Sequence, residues 1–352
     1  MPTYAYIATC PAGFEGEAAR LLNREWKGAL VTRRSGGAIW FSLPFPLDPP
    51  SVPDYLSNVF FILREWNTSA NPFSELVKQG CRKSGLASLP AGYAPRSFRV
   101  RFSRENRFES VDKTVASSAE SAIRAATGAV PDRLGSGGEY WFIIRSESWS
   151  AFALRLERGT RDTPSPARGE LSPALASLVV LRAARDLGAK DGTPFVILDP
   201  CAGHGALPER ASLFFPEATV IALDIDDSAV KAMKARFSGN PRVSVSAGDL
   251  RALEGIDAHS VDLVVADPPW GMWEEGGFRE GAGIPELYAA FLGAAARVLK
   301  PGGRLGVLTG AKRDFEAAVE GDPVFSAARS ADGFRTDILV NGKKAALYLL
   351  DA

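Results

Sequence analysis

The sequence predicts an α/β protein: a parallel sheet wound with helices from about residue 172 onward, preceded by a smaller α+β half. Three observations carry this. Beyond Leu171, short runs of branched apolar residues alternate with helix-length segments, the pattern of repeated β/α units. Acidic residues close those apolar runs at Asp199, Asp224 and Asp267, where open α/β sheets place their ligand sites. The first half instead holds a strictly alternating run, Phe98 to Phe102, in which polar and apolar side chains fall on opposite faces of a sheet, and a cluster of prolines.

Taken in order, Tyr4 to Thr9 reads as a strand, and residues 13–26 as a helix through Phe14, Ala18, Leu21 and Leu22. Gly36-Gly37 precedes a strand at 38–43, after which Pro44, Pro46, Pro49, Pro50 and Pro53 force an irregular connection. Residues 55–66 return as an apolar helix or strand, which closes a first unit at 1–66. A second unit spans 67–160. It holds the alternating strand Phe98-Arg99-Val100-Arg101-Phe102, a helix at 111–127 ended by Gly128, and strands at 140–146 and 150–157. A linker follows at 161–171, marked by Pro164, Pro166 and Gly169. The last unit, 172–352, opens with a helix at 173–187. Strands are expected at 195–199, 219–224, 243–246, 261–266 and 304–309, with helices at 206–215, 228–237 and 285–299. The tail from Phe325 is strand-rich, and Asn341-Gly342 signals a hairpin.

The bulk numbers exclude several classes. Hydrophobic residues make up 46% of the 352 and charged residues 23%, ordinary for a globular protein. No run approaches a membrane span, and the start lacks the basic and apolar regions of a secretion signal. Cys10, Cys81 and Cys201 form no CxxC pair, and only His204 and His259 accompany them, so neither a structural zinc nor another metal is expected. A reducing, cytoplasmic setting fits. Residues 1–171 carry 22 Lys/Arg against 17 Asp/Glu, and the remainder 19 against 24. A polyanion would therefore dock through the first half. Arg99 and Arg101 share one strand face, flanked by Arg96 and Arg104, and such a group can hold phosphates or form a solvated sheet face.

Four stretches carry chemistry. Asp199-Pro200-Cys201-Ala202-Gly203-His204-Gly205 joins a strand to a helix, and Gly203 and Gly205 let a ligand approach the backbone. The third glycine of a dinucleotide fingerprint is missing, which speaks against a nicotinamide dehydrogenase. Asp224, followed by Ile225, is placed to accept from ribose hydroxyls, whereas Asp226 and Asp227 read as helix caps. Asp249, followed by Leu250, is placed to accept from an adenine amine or to cap a helix. Asp267-Pro268-Pro269-Trp270 offers a carboxylate, carbonyls freed from the strand ladder and a flat aromatic face. That set suits a planar base with an exocyclic amine. Hydrogen bonds to Asp267 and to the Pro268 carbonyl favour a pyramidal nitrogen with a directed lone pair. A carboxylate of ordinary pKa, ~4, cannot deprotonate a neutral arylamine, so such an amine would lose its proton only after its nitrogen has reacted. The glycine-rich stretch 276–283 reads as a mobile lid or a plain surface loop.

The order DPxxGxG, Asp224, Asp249, DPPW resembles that of S-adenosylmethionine-dependent methyltransferases acting on exocyclic amines. Further segments extend the likeness: Tyr6-Ile7-Ala8-Thr9-Cys10-Pro11-Ala12-Gly13-Phe14-Glu15, Ser97-Phe98-Arg99-Val100-Arg101, Leu171-Ser172-Pro173-Ala174-Leu175-Ala176 and Asp337-Ile338-Leu339-Val340-Asn341-Gly342. They resemble THUMP-containing tRNA guanine-N2 methyltransferases. This resemblance implies a ferredoxin-like domain at 1–66, a THUMP domain at 67–160 and a Rossmann-like class I methyltransferase domain at 172–352. It implies S-adenosylmethionine as cofactor, the tRNA acceptor end as partner, and a monomer. Asp199, Pro200, Ala202, Gly203, Gly205, Asp224, Ile225, Asp249, Leu250 and Asp267 would bind the cofactor, and Asp267 to Trp270 would act on the base, with Trp270 stacked on it. Two residues depart from the family: His204 where a small residue is frequent, and Trp270 where Tyr is common. The rivals are the same chemistry on ribosomal RNA or on adenine N6, and an inactive RNA-binding protein that keeps the fold.

Overall fold

A computed structural model describes residues 3–48, 52–81, 86, 89–132, 137–156, 169–188, 194–271, 283–331, 333–340 and 342–352. The glycine-rich stretch at 276–282, residues 161–168 of the linker and Asn341 lie outside them. The chain divides into two compact units, residues 1–10 with 18–163, and residues 11–17 with 164–352.

The first unit is built on one sheet. Its strands are β1 (Tyr4–Thr9), β2 (Leu30–Ser35), β3 (Ala38–Leu43), β4 (Asn58–Trp66), β5 (Ser97–Arg104), β6 (Arg107–Phe108), β7 (Val130–Pro131), β8 (Gly138–Arg145) and β9 (Trp149–Arg155). They run in the order β2-β3-β1-β4-β9-β8-β5-β6, with β7 beside β5. The segment open to either reading is a strand, because β4 is central and pairs with both β1 and β9. The sheet passes straight across residue 66: Phe60 pairs with Arg155 and Phe61 with Leu154. Strand β2 escapes the sequence reading because it is a polar edge strand, Val31-Thr32-Arg33-Arg34. Helices α1 (Glu15–Glu25), α2 (Phe73–Gly80) and α3 (Lys113–Thr127) accompany the strands. Stacked rings fill the interior, with Phe142 4.6 Å from Phe152 and 5.3 Å from Phe102.

The second unit is the wound sheet. Strands β10 (Val196–Asp199), β11 (Thr219–Asp224), β12 (Val243–Ala247), β13 (Val261–Ala266), β14 (Leu299–Thr309), β15 (Arg335–Val340) and β16 (Lys343–Asp351) run in the order β12-β11-β10-β13-β14-β16-β15. Pairing is parallel from β12 to β14, and β16 and β15 add an antiparallel hairpin. Helices α4 (Pro173–Ala183), α5 (Ala206–Phe214), α6 (Asp227–Arg236), α7 (Ile284–Val298) and α8 (Lys312–Gly321) complete it. Helix α4 is apolar and buried nearly all round, with Ser172 capping its start by accepting from the Leu175 N–H at 3.4 Å. Helix α8 goes unread in the sequence because only Phe315 and Val319 face the core among charged residues. None of the helices among the described residues is long and apolar enough to cross a membrane.

Winding proceeds from β10 to β12 on one side and from β13 to β14 on the other. The reversal lies between β10 and β13, where an open sheet has its ligand crevice. The far edge is covered by the early segment Pro11–Glu17. Leu339 of β15 donates its N–H to the Ala12 carbonyl at 3.1 Å, which satisfies an exposed strand edge.

Candidate active site

At the end of β10, Asp199 is 1% exposed. Its Oδ1 accepts the Cys201 N–H at 3.2 Å, and among the described residues no lysine or arginine pairs with it. Burial, followed by the negative charges of Asp267 and Asp224, pushes its carboxyl well above the usual range. Pro200 and Ala202 are buried behind it. The two glycines of the turn differ. A Cβ on Gly203 would meet nothing within 4 Å, so this backbone faces open space, whereas one on Gly205 would stand 2.8 Å from the Phe237 ring. Gly205 is therefore a packing glycine rather than part of an open cradle. Its neighbour His204 is exposed and lends its carbonyl to Arg236 at 2.7 Å.

At the end of β11, Asp224 pins that turn. Its Oδ2 accepts the Gly203 N–H at 2.7 Å and its Oδ1 the Asp226 N–H at 2.9 Å. Asp226 caps α6, accepting from the Ser228 N–H at 2.8 Å, as its place before a helix predicts. Ile225 projects from the strand end, 69% exposed.

The third acid stands otherwise than expected. Asp249 is held by its own neighbour, accepting from the Arg251 backbone at 2.9 Å and from its guanidinium. The side-chain bond from Arg251 is the largest influence keeping its carboxyl below the usual range. This carboxylate is engaged, not offered, and an ion pair two residues apart gives no periodic signal in a sequence. Leu250 belongs to the core, packed with Leu198 and Leu223, so its side chain is structural.

At the end of β13, the Trp270 indole N–H donates to Asp267 Oδ1 at 3.0 Å. Burial pushes the Asp267 carboxyl up to about 7, against the opposing pull of that bond. The ordinary acidity expected from sequence does not hold here. Pro268 is buried and Pro269 exposed. The indole lies against Gly310, where a Cβ would stand 2.5 Å from Cε3. The ring is thus tethered by its N–H and seated on backbone, a second role beside the stacking expected of it. Three residues unread in the sequence complete the site. The buried Tyr288 hydroxyl donates to the Pro269 carbonyl at 3.2 Å and lies 2.7 Å from Thr309 Oγ1, and Gly310 follows Thr309. Tyr288 is hidden in the apolar spacing of α7. The two others could have been found as the end of a strand beside the switch point.

Asp199, Asp224 and Asp267 thus stand at the carboxyl ends of three adjacent strands. Among the described residues no three His, Cys, Asp or Glu side chains stand together as a metal site. Two under-neutralised carboxyls at these strand ends favour a cationic ligand, because a positive group would lower the cost of ionising them.

The four arginines lie in the first unit. Arg96 is exposed. Arg99 pairs with the buried Glu139, Arg155 Nη1 bonds it at 2.8 Å, and Arg101 Nε lies 3.5 Å away. Burial alone would raise the Glu139 carboxyl, but bonds from Arg155, Trp141 and Arg99 outweigh it and hold it low. Arg104 pairs with Glu109 at 2.6 Å and sits over the Phe73 ring at 5.2 Å. Arg99, Arg101 and Arg104 are thus anchored rather than freely solvated.

Comparison with known proteins supports the same architecture. A tRNA (guanine(6)-N2)-methyltransferase of Thermus thermophilus is 30% identical over 218 residues, which span 60% of this chain and 62% of that relative. The chain therefore aligns with less than two thirds of that protein's length. The crystal structure of TrmN from Thermus thermophilus superposes with a TM-score of 0.73 at 22% identity, covering 99% of both chains. SMU.472 complexed with SAH superposes with a TM-score of 0.63 at 14% identity, over 99% of this chain and 98% of that one. At these identities the likeness establishes a shared Rossmann-like fold. Residues 158–336, a little over half of the chain, match the family described as RMKL-like, methyltransferase domain, and the chain belongs to that family.

Proposed function

We propose that the protein is an S-adenosylmethionine-dependent tRNA guanine-N2 methyltransferase acting in the acceptor stem. The observation that carries this reading is Asp267, a raised carboxyl at the switch-point strand end, tethered by Trp270 within Asp-Pro-Pro-Trp. The residues fit the cofactor. The buried, raised carboxyl of Asp199 complements its positive charge. Gly203 leaves open backbone space, Asp224 retains acceptor lone pairs for ribose hydroxyls, and the exposed Ile225 offers an apolar cover for a base.

When bound, S-adenosylmethionine supplies an electrophilic methyl group. Asp267 and the Pro268 carbonyl accept the two N–H bonds of the exocyclic amine, and its lone pair turns toward the methyl. The methylated nitrogen carries one proton too many, and Asp267, with a pKa near 7 rather than 4, takes it. The base reaches the site flipped out of its stack, at a cost of roughly a few kcal/mol.

The chain is proposed to carry its RNA contacts in residues 1–160, a ferredoxin-like part followed by a THUMP part on the shared sheet. Three guanidiniums around one Glu139 carboxylate leave positive charge to spare, so Arg99, Arg101 and their neighbours Arg96 and Arg104 are assigned to phosphates.

The decisive experiment is nucleoside mass spectrometry of tRNA incubated with the protein and labelled S-adenosylmethionine. Labelled N2-methylguanosine is expected. Labelled N6-methyladenosine would move the reading to adenine, and label only in ribosomal RNA would move it off tRNA. Two further outcomes follow from the site. Asp224→Ala removes a charged acceptor of two backbone N–H groups, and cofactor affinity is expected to weaken about 10–100-fold by calorimetric titration. Methyl transfer is expected to slow as pH falls through about 7, because protonated Asp267 loses its acceptor role. Asp267→Asn, which keeps an acceptor oxygen and does not titrate, is expected to lose this acid limb. A wild-type rate that is flat from about pH 6 to 8 would contradict that assignment.

A further inference from the structure

The carboxyl end of β14 carries two residues that the chemistry above leaves without a task. Thr309 is buried, and its hydroxyl oxygen accepts the Ala311 N–H at 3.0 Å. It also lies 2.7 Å from the hydroxyl of the fully buried Tyr288, which reaches the Pro269 carbonyl at 3.2 Å. Donor counting fixes the direction of this chain. A carbonyl only accepts, so Tyr288 donates to Pro269. Its oxygen then accepts the Thr309 hydroxyl proton, and Thr309 in turn accepts from Ala311. Every member is satisfied, as a buried polar network must be.

The next residue, Gly310, acts on the other end of the same loop. A Cβ there would stand 2.5 Å from Trp270 Cε3 and 3.1 Å from both Cδ2 and Cζ3. Real Cβ atoms do not approach a ring so closely, so alanine would displace the indole. The indole N–H is what holds Asp267 Oδ1 at 3.0 Å. One strand end therefore touches the first and third residues of the loop: Asp267 through Trp270, and Pro269 through Tyr288.

We propose that Thr309 and Gly310 are positioning residues for the methyl transfer, seating the Asp267–Trp270 loop so that its acceptors stay aimed at one amine. Neither need touch substrate. Gly310 acts through the indole and Thr309 through Tyr288. The kinetic side of this inference rests on the methyltransferase reading above, but its geometric side does not.

The test has two arms. In the first, the protein is labelled with ¹⁵N at its tryptophan indoles, and Trp270→Phe identifies the Trp270 resonance. That resonance is expected to move with pH around a midpoint of about 7 and to stop moving in Asp267→Asn. Asp199, Cys201 and Tyr288 are the other titratable groups that sense Asp267, and the asparagine variant separates them from it. In Gly310→Ala the resonance should lose or shift this titration. In the second arm, Gly310→Ala should lower kcat about 10²-fold, the scale of a 1 Å misplacement, with KM for RNA and cofactor affinity kept. Thr309→Val should lower kcat in the same way, and Thr309→Ser, which restores the hydroxyl, should recover it. Should Gly310→Ala fail to fold, the Thr309 pair decides. A Gly310→Ala protein with wild-type indole titration, or a Thr309→Val protein with wild-type kcat, overturns the proposal. A wild-type protein that methylates no RNA overturns the functional reading instead, and the indole arm then judges the seat alone.

Discussion

Replacing Asp267 with alanine is expected to lower kcat by a factor on the order of 10²–10³ while cofactor binding survives. The carboxylate is the charged acceptor of the loop, and burial leaves it poorly solvated, with a pKa of about 7. A hydrogen bond formed in such a place strengthens as positive charge grows on the amine nitrogen, which is the differential binding that accelerates a step. Alanine removes that acceptor and also leaves the Trp270 N–H without its partner at 3.0 Å. Single-turnover rates on tRNA, paired with calorimetric titration of S-adenosylmethionine, separate the two effects. Full activity in the variant would remove Asp267 from the mechanism, and loss of cofactor binding would relocate its role to the cofactor pocket.

Gly13→Ala should be the most damaging substitution outside the site, costing about 3–5 kcal/mol of stability. Gly13 has φ +101°, a region that costs other residues about 1–3 kcal/mol. The added Cβ would also stand 2.1 Å from the Asp337 carbonyl oxygen. That atom belongs to the backbone of β15 and cannot rotate aside. The bond between Leu339 and Ala12 should open with it. Thermal unfolding followed by circular dichroism, with fragments from limited proteolysis, checks this outcome. A variant melting like the wild type would show that residues 11–17 do not bind the β15 edge in solution.

Strands β10, β11, β13 and the end of β14 were legible because they are short, branched apolar runs largely buried on both faces, and such runs leave little ambiguity. Two of them, 219–224 and 261–266, are observed with the expected bounds. The acids at their ends were legible for the same reason, since a carboxylate directly after a buried strand has few structural explanations. What the residues beside those acids do was not legible. Asp249 looks like Asp224 in sequence, yet Arg251 neutralises the first, whereas Asp224 is held by two backbone N–H groups. Arg99 and Arg101 look solvated until the buried Glu139, forty positions from Arg99, is brought beneath them by the parallel pairing of β5 with β8. Trp270 looks free to stack until Gly310 is placed against it. Each of these facts depends on a neighbour that periodicity does not report. The division expected at residue 66 followed the order of the elements along the chain, which does not report that β4 pairs with β9.

The strand edge closed by Ala12 also sets an order of events during synthesis. Leu339, which binds the Ala12 carbonyl, lies 327 residues (339 − 12) further along the chain. At about 5–20 residues per second, a ribosome needs roughly 15–65 s to travel from one to the other. The segment 11–17 is therefore made early, and the sheet edge that it protects is made late. The β15 edge of the wound sheet is guarded by a segment of chain that was made well before it.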